Sequence, residues 1–156
     1  MQPTVRSAAP GDAPEILRLL KALAKERGKR APVLDEAGIA ALLAGPVECL
    51  VLPSGGRLVG IAFLSPGFDP LRGAGMHLEE VFVEPDQRRH GLGRALAAAA
   101  ARRCRERGGS WLEGRAGTGD SGAWAFGEHA GAKPLRLLAP MRIEGEAFED
   151  LADTAG

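Results

Sequence analysis

Residues 78–107 constrain the fold of this chain more than any other segment. They open with an apolar run, residues 78–83, that has the length and composition of a strand. Pro85 then ends the run, because proline cannot extend a sheet ladder. A basic turn containing glycine follows, and after it apolar residues recur at helical spacing: Leu92, Leu96, Ala99, Ala100 and Cys104. The sequence therefore predicts a strand, a turn and a long helix in direct succession.

The turn between this strand and this helix has the features of an anion-binding loop. The first N–H groups of a helix lack internal partners and lie at the positive end of the helix dipole. Gly91 and Gly93 remove side chains that would hold a diphosphate away from the backbone. Three arginines add charge-assisted donors: Arg88, Arg89 and Arg94. We therefore predict a phosphate site at the start of the helix.

Two common nucleotide-binding loops fit this spacing badly. The chain has no GxxxxGK motif followed by Ser or Thr, and Leu96 stands where GxGxxG requires its third glycine. The strand, proline break, arginines, GxG and long helix instead resemble the GNAT superfamily of acyl-CoA-dependent N-acyltransferases. Its R/Q-x-x-G-x-G/A signature is matched by Arg88, Gly91 and Gly93. Short matches around residues 78–83 and 131–147 are most similar to the spermidine/spermine (diamine) acetyltransferase subgroup.

Hydrophobic periodicity and turn signals place the remaining elements. Asp12 and Glu15 have capping-box spacing at the start of a first helix, and Asp35 caps a second one. Residues 65–75, rich in proline and glycine, are predicted to form a loop. Strands are predicted at residues 4–8, 49–52, 58–64, 78–83, 111–116 and 137–143, and helices begin near residues 12, 35, 92, 121 and 146.

This order matches the α/β (α+β) fold that the resemblance implies. We expect one domain over residues 1–156 with a central mixed, mostly antiparallel twisted sheet. The sheet is expected to have about six to seven strands and about four flanking helices. The resemblance further implies a splayed strand pair that forms the acyl-CoA cleft.

Composition limits the classes of binding partner and the cellular compartment that we expect for this protein. Twenty basic residues balance twenty acidic ones, so no net charge attracts nucleic acid or a membrane surface. Cys49 and Cys104 lie far apart without metal-ligand spacing, which favours a reducing compartment and no bound metal. No signal peptide or long apolar run is visible, and we therefore expect a cytoplasmic protein.

The resemblance assigns acetyl-CoA as co-substrate and divides its binding between two segments. Backbone groups of Val81, Phe82 and Val83 would pair with the pantetheine amides, as an added strand pairs with a sheet edge. Backbone N–H groups of the loop would hold the pyrophosphate: Arg88, Arg89, His90, Gly91, Leu92, Gly93 and Arg94.

Acyl transfer from a thioester to an amine needs a base, because an ammonium group has no lone pair. Glu79 and Glu80 precede the Val81 segment, and strand alternation lets only one of them face the cleft. The resemblance favours Glu79, with Glu80 as the second candidate. It also places the N–H group of Val81 where it would meet the tetrahedral oxyanion.

The chain departs from the family pattern at the general acid. The resemblance implies a tyrosine that protonates the leaving thiolate, but Gly127 stands at that position and the chain has no tyrosine. An ordinary thiol pKa of about 8.5 makes the thiolate a tolerable leaving group. His129 and water are the two substitutes considered.

We therefore predict an acetyl-CoA-dependent N-acetyltransferase that acts on a primary amine of a small molecule, such as a polyamine, diamine or amino-acid-like compound. Acidic residues around the expected cleft suit a cationic acceptor: Asp69, Glu79, Glu80 and Glu84. Acetylation of a protein N-terminus or lysine is one alternative. A CoA-binding module without catalysis, consistent with Gly127, is another. The resemblance also implies a homodimer, for which the sequence specifies no interface.

Overall fold

Five strands lie in chain order in one sheet of the computed structural model, which describes residues 3–154. The first four strands run antiparallel to their neighbours, and the fifth runs parallel to the fourth. They are β1 (Arg6–Ser7), β2 (Glu48–Ser54), β3 (Arg57–Asp69), β4 (Gly73–Val83) and β5 (Leu112–Gly114). The mixed α/β class is as predicted.

The described residues also form five α-helices, of which the first three cover the two faces of the sheet. They are α1 (Ala13–Glu26), α2 (Glu36–Leu43), α3 (Leu92–Glu106), α4 (Ser121–His129) and α5 (Glu146–Asp153). The buried helix residues are Ala13, Ile16, Leu19 and Ile39 on the face of α1 and α2, and Leu96, Ala100 and Cys104 on the face of α3. No helix within residues 3–154 has the length and apolar content needed to cross a membrane.

Both helices begin where Asp12 and Asp35 predicted, but only Asp35 makes the capping bond. The Asp35 carboxylate accepts the Gly38 N–H at 2.8 Å, which is an N-cap bond. Asp12 instead forms an ion pair with Arg6 at 2.7 Å and accepts the Ala9 N–H. The capping box predicted for Asp12 and Glu15 is therefore wrong, because a short 3-10 turn (Pro10–Asp12) precedes α1 and engages Asp12 itself.

The predicted loop at residues 65–75 is wrong, since β3 and β4 continue as one long hairpin that turns at residues 70–72. Pro66 is tolerated there because β2 pairs with β3 only as far as Leu64, so its missing N–H faces no partner on that side. Proline and glycine are turn signals in isolation. Here they mark the uncovered end of a strand instead.

The sheet has five strands in the described residues, fewer than the six to seven predicted, and the helices number five instead of about four. The strand predicted at residues 137–143 is wrong: this segment pairs with no strand within residues 3–154. Its apolar side chains lie in solvent, with Leu137 99% and Met141 95% exposed. Strand periodicity alone is therefore not enough to make residues 137–143 a strand of the sheet.

Trp111 fastens the start of β5 to the β3–β4 hairpin. Its indole N–H donates to the Gly73 carbonyl at 3.1 Å, and its own carbonyl accepts the Met76 N–H at 3.0 Å. The indole ring lies directly over Gly67 and Gly75, where a Cβ atom at either glycine would overlap it. These two glycines therefore provide the space in which the tryptophan packs.

We predict that Gly75→Val destabilises the fold by about 1–3 kcal/mol, because the added side chain must displace the Trp111 ring from a filled site. Ala74→Val is the matched control, since Ala74 is an exposed neighbour on the same strand. Urea unfolding monitored by tryptophan fluorescence measures both. Equal unfolding free energies for the two variants would contradict this packing account.

Candidate functional site

β4 loses its neighbour halfway along its length. Its pairing with β5 ends at Leu78 and Gly114, while β4 itself continues to Val83. Residues 79–83 therefore have no strand on that side within the described part of the chain. Phe82 and Val83 are buried at 3% and 8% exposure, so their side chains belong to the core. Their backbone forms a sheet edge, because no strand of the described residues lies beside it.

Two backbone groups on this edge are met by side chains in place of a strand. The Val81 N–H donates to Glu80 Oε1 at 3.1 Å, and the Val83 carbonyl accepts from Arg88 Nε at 2.8 Å. The Val81 N–H and the Val83 carbonyl both lie on the free side of β4. An extended molecule that carries amides could pair with this edge as a further strand would.

A β-bulge lies at the start of the free edge. Phe63 pairs with Glu80 and Leu64 pairs with Leu78, which leaves Glu79 as the extra residue. Leu78 and Val81 both pack on the α3 side although three positions separate them. Glu79 and Glu80 therefore both lie on the face of α1. The alternation expected from sequence, which admitted only one of them to a given face, is broken by the bulge.

The two carboxylates differ in their partners. Glu80 forms a two-bond ion pair with Arg27 at 2.6 and 2.8 Å, and this hydrogen bonding raises the pKa of the Arg27 guanidinium. Glu79 is exposed and accepts the Ser65 hydroxyl at 2.5 Å, with no cationic partner within residues 3–154. Ser65 was missed from sequence because it lies in the segment predicted as a loop. Of the two carboxylates, Glu79 is therefore the one without an ionic partner among the described residues.

The loop that follows β4 presents unpaired N–H groups to solvent. Arg89 and Gly91 adopt left-handed backbone conformations with φ of 69° and 75°, and Gly91 is the N-cap of α3. No side chain caps α3, and its first turn contains no acidic residue. The helical ladder begins with the Ala95 N–H bonded to the Gly91 carbonyl at 3.0 Å. The Arg88 N–H donates to the Pro85 carbonyl at 3.4 Å, which leaves the N–H groups of residues 89–94 as donors at the positive end of the helix dipole.

The two signature glycines are needed for different reasons. Gly91 has a positive φ that other residues adopt at a cost, and its position opens onto free space. Gly93 has an ordinary φ, but a Cβ there would lie 3.2 Å from the Phe126 ring of α4. From sequence, both glycines are expected to serve phosphate approach alone. In the structure Gly93 also lets α4 pack against the start of α3.

Arg88 is already engaged within the protein. Its guanidinium forms a two-bond ion pair with Glu26 at 3.0 and 2.6 Å, and its Cζ lies 5.6 Å from the centre of the Phe82 ring. Arg89 and Arg94 are exposed and form no ion pair within residues 3–154. His90 is also exposed, with its Nδ1 3.3 Å from the Gln87 carbonyl. The side chains of Arg89 and Arg94 therefore remain the available cationic donors of the loop.

Two of the acidic residues predicted to attract a cationic acceptor have structural roles instead. Asp69 accepts the Leu71 N–H at 2.8 Å and pairs with Arg72, so it closes the β3–β4 turn. Glu84 is 8% exposed and is paired with Arg18 and Arg57 beneath the loop. Neither carboxylate is left to attract a cationic acceptor. No cluster of three or more His, Cys, Asp or Glu side chains within residues 3–154 is arranged to hold a metal ion.

The contacts at α4 bear on two predictions from sequence: that Asp120 is an N-cap, and that His129 could protonate the leaving thiolate. Asp120 accepts the Ala123 N–H at 2.9 Å and is the predicted N-cap. His129 is exposed, with its Nδ1 2.7 Å from the Ala125 carbonyl of its own helix. Gly127 has room around it, since an added Cβ would find only the Ala132 methyl, at 3.8 Å.

Comparisons with known proteins identify relatives of similar sequence and similar fold. The chain is 27% identical over 167 residues to thialysine N-epsilon-acetyltransferase of Bos taurus, a match that covers 95% of this chain and 96% of that protein. An integron cassette protein from the mobile metagenome of V. cholerae has a similar structure, with a TM-score of 0.80 at 20% identity over 97% of this chain and 98% of that one. Ribosomal-protein-alanine N-acetyltransferase from Brucella melitensis biovar Abortus 2308 has a TM-score of 0.75 at 23% identity, over 92% and 100%.

These two structural likenesses show the fold. The family follows from the sequence match, because the model of the acetyltransferase (GNAT) family matches residues 14–131 and so covers most of the chain. This protein therefore belongs to the GNAT family of acetyltransferases.

Proposed function

We propose that this acetyltransferase transfers the acetyl group of acetyl-CoA directly to a primary amine of a small molecule within a ternary complex. Acetyl-CoA is the co-substrate that the family uses. The observation that carries the proposal is the junction of the unpaired β4 edge with the uncapped start of α3. This junction suits a ligand with amides in an extended arm followed by a diphosphate.

Binding of the co-substrate is divided between the two segments. The N–H groups of residues 89–94 hold the diphosphate, aided by the exposed Arg89 and Arg94, since the Arg88 N–H donates to the Pro85 carbonyl. The backbone of residues 81–83 pairs with the pantetheine amides. Chain direction supports this division, because β4 leads into the loop and α3 without any intervening long segment.

Glu79 is the proposed general base. It removes the proton from the amine, directly or through a water molecule, so that a neutral nitrogen attacks the thioester carbonyl. Its hydrogen bond to Ser65 orients the carboxylate, which has no cationic partner within residues 3–154. Glu80 is the second candidate, but both of its carboxylate oxygens are bonded to Arg27.

The Val81 N–H is proposed to stabilise the tetrahedral oxyanion. Glu80 accepts this N–H in the structure, so its carboxylate must turn away as the thioester oxygen approaches. Arg27 can retain Glu80 in the turned position through the second carboxylate oxygen. We propose that water or the Nε2 of His129 protonates the departing thiolate, since only the Nδ1 of His129 is engaged by its own helix.

The acceptor is proposed to be a small amine of the diamine or amino-acid-like class. The support is the distant likeness to an enzyme named for thialysine, together with the location of Glu79. Of the four acidic residues considered, Asp69, Glu80 and Glu84 are paired with arginines in the described chain. A single uncommitted carboxylate favours an acceptor that presents one cationic nitrogen at the site over a long polyamine.

We also propose that the protein is a homodimer. Seven large apolar residues of the C-terminal segment are 49–99% exposed: Leu135, Leu137, Leu138, Met141, Ile143, Phe148 and Leu151. An exposed apolar segment of this extent is uncommon on a monomer and is typical of an interaction surface.

Gly91→Val is predicted to weaken CoA binding by more than about tenfold, which corresponds to about 1.4 kcal/mol. The β-branched side chain disfavours the left-handed backbone and blocks approach to the N–H groups. Gly11→Val is the control, since Gly11 has open space and an ordinary φ. Calorimetric titration measures both, and an affinity within about twofold of the parent for Gly91→Val would refute the loop assignment.

Glu79→Gln is predicted to lower kcat by about 10²–10⁴, with CoA affinity retained. The loss should be largest below the pKa of the amine, where base assistance is needed most. Glu80→Gln is the matched comparison, and thiol release measured against pH reports both rates. A larger loss in Glu80→Gln would assign the base to Glu80. Absence of turnover by the parent over a broad amine panel, with CoA still bound, would indicate a CoA-binding module.

Light scattering is predicted to give twice the chain mass of 16.3 kDa. Replacing Leu137 and Met141 by glutamate should shift the protein toward the monomer, whereas Val33→Glu, at a residue 101% exposed, should not. A monomeric parent at all concentrations tested would exclude the homodimer.

A further inference from the structure

The last turn of α1 contacts both segments of the proposed co-substrate site. Glu26 ends the helix, Arg27 caps it, and Gly28 leaves it with a φ of 60°. Glu26 and Arg27 carry opposite charges, and each forms a two-bond ion pair. Glu26 pairs with Arg88 at the phosphate loop, and Arg27 pairs with Glu80 on the free edge of β4.

The Arg88 side chain is fixed by three separate groups. Its two terminal nitrogens donate to the Glu26 oxygens, its Nε donates to the Val83 carbonyl, and its guanidinium carbon lies over Phe82. Paired, parallel hydrogen bonds between guanidinium and carboxylate impose a defined geometry in addition to attraction. The hydrogen bond from Arg88 also lowers the pKa of Glu26, which keeps that carboxylate ionised.

The residue after Arg88 needs such an anchor. Arg89 is the one residue other than glycine with a positive φ among residues 3–154, at 69°. A left-handed conformation costs an ordinary residue about 1–2 kcal/mol, so it persists only where the surrounding structure restrains the chain. Arg88 is the immediate neighbour of Arg89, and its side chain ties this part of the loop to β4 and α1.

We propose that Glu26 is a positioning residue for the phosphate loop. It holds the Arg88 guanidinium so that Arg88 shapes the loop, while phosphate contact falls to the backbone N–H groups and the exposed arginines. This inference rests on the proposed function, because it concerns how the same loop binds CoA.

Arg88 could bind phosphate directly, or it could shape the loop while held by Glu26. These two roles predict opposite effects of Glu26→Gln on CoA affinity. Glu26→Gln removes a negative charge near a loop that binds a polyanion. If Arg88 were a direct phosphate ligand, this change would release it and would leave CoA binding equal or tighter. If Glu26 positions the loop, the same change loosens Arg88 and weakens binding.

The test is calorimetric titration of CoA into the parent, Glu26→Gln and the control Glu36→Gln. Glu36 is exposed, and its substitution makes the same change in net charge away from Arg88. We expect affinity to fall at least fivefold in Glu26→Gln and to stay within twofold in Glu36→Gln. With an amine acceptor, KM for acetyl-CoA should rise while kcat at saturation changes less than twofold. Equal or tighter CoA binding by Glu26→Gln would overturn the proposal.

A spectroscopic measurement on the parent keeps the inference testable if Glu26→Gln folds poorly. The Nε–H resonance of Arg88 should be observable in the free protein and should remain observable at saturating CoA, because its bond to the Val83 carbonyl persists while the second lone pair of that oxygen is left for a pantetheine amide. Loss of this resonance at saturating CoA would overturn the proposal. A parent that binds no CoA would instead refute the proposed function, so the two failures are distinguishable.

Discussion

The separation of β4 from β5 beyond Leu78 is the constraint on which the site depends. It leaves the backbone of residues 79–83 as a free edge on a strand whose first half is paired on both sides. Trp111 fixes where β5 begins, and the bulge at Glu79 brings two acidic side chains to one face. The free edge then leads within a few residues to the start of α3, where the N–H groups have no cap. One strand thus connects the proposed acyl, pantetheine and phosphate positions.

Arginines fix the surroundings of this strand. Glu84 at its end is paired with Arg18 and Arg57, and Arg18 also bonds Glu15 and the Leu58 carbonyl. Partly buried ion pairs of this kind contribute defined geometry more dependably than stability. Arg27 and Arg88 extend the same pattern to the free edge and the loop. The acidic residues of the region are therefore mostly structural, which is why Glu79 stands apart.

Local chemistry made the loop and α3 predictable from sequence, because proline, glycine and helical periodicity act over a few residues. The same holds for the Asp35 and Asp120 caps, which the structure confirms. Predictions failed where distant partners decide. Pro66 and Gly67 are in a strand because β2 ends at Leu64 and Trp111 fills the space above Gly67. Residues 137–143 have strand periodicity but no partner strand within residues 3–154. The bulge at Glu79 and the role of Ser65 depend on register, which periodicity does not determine.

The central claim is that backbone N–H groups at the start of α3 hold the diphosphate of CoA. Amide resonances of Leu92, Gly93 and Arg94 followed by NMR test it most directly, with CoA and with pantetheine, which lacks the phosphates. The account predicts large downfield shifts of these amides with CoA and little change with pantetheine, while residues 81–83 respond to both. Amides of residues 92–94 that stay in place at saturating CoA would contradict it.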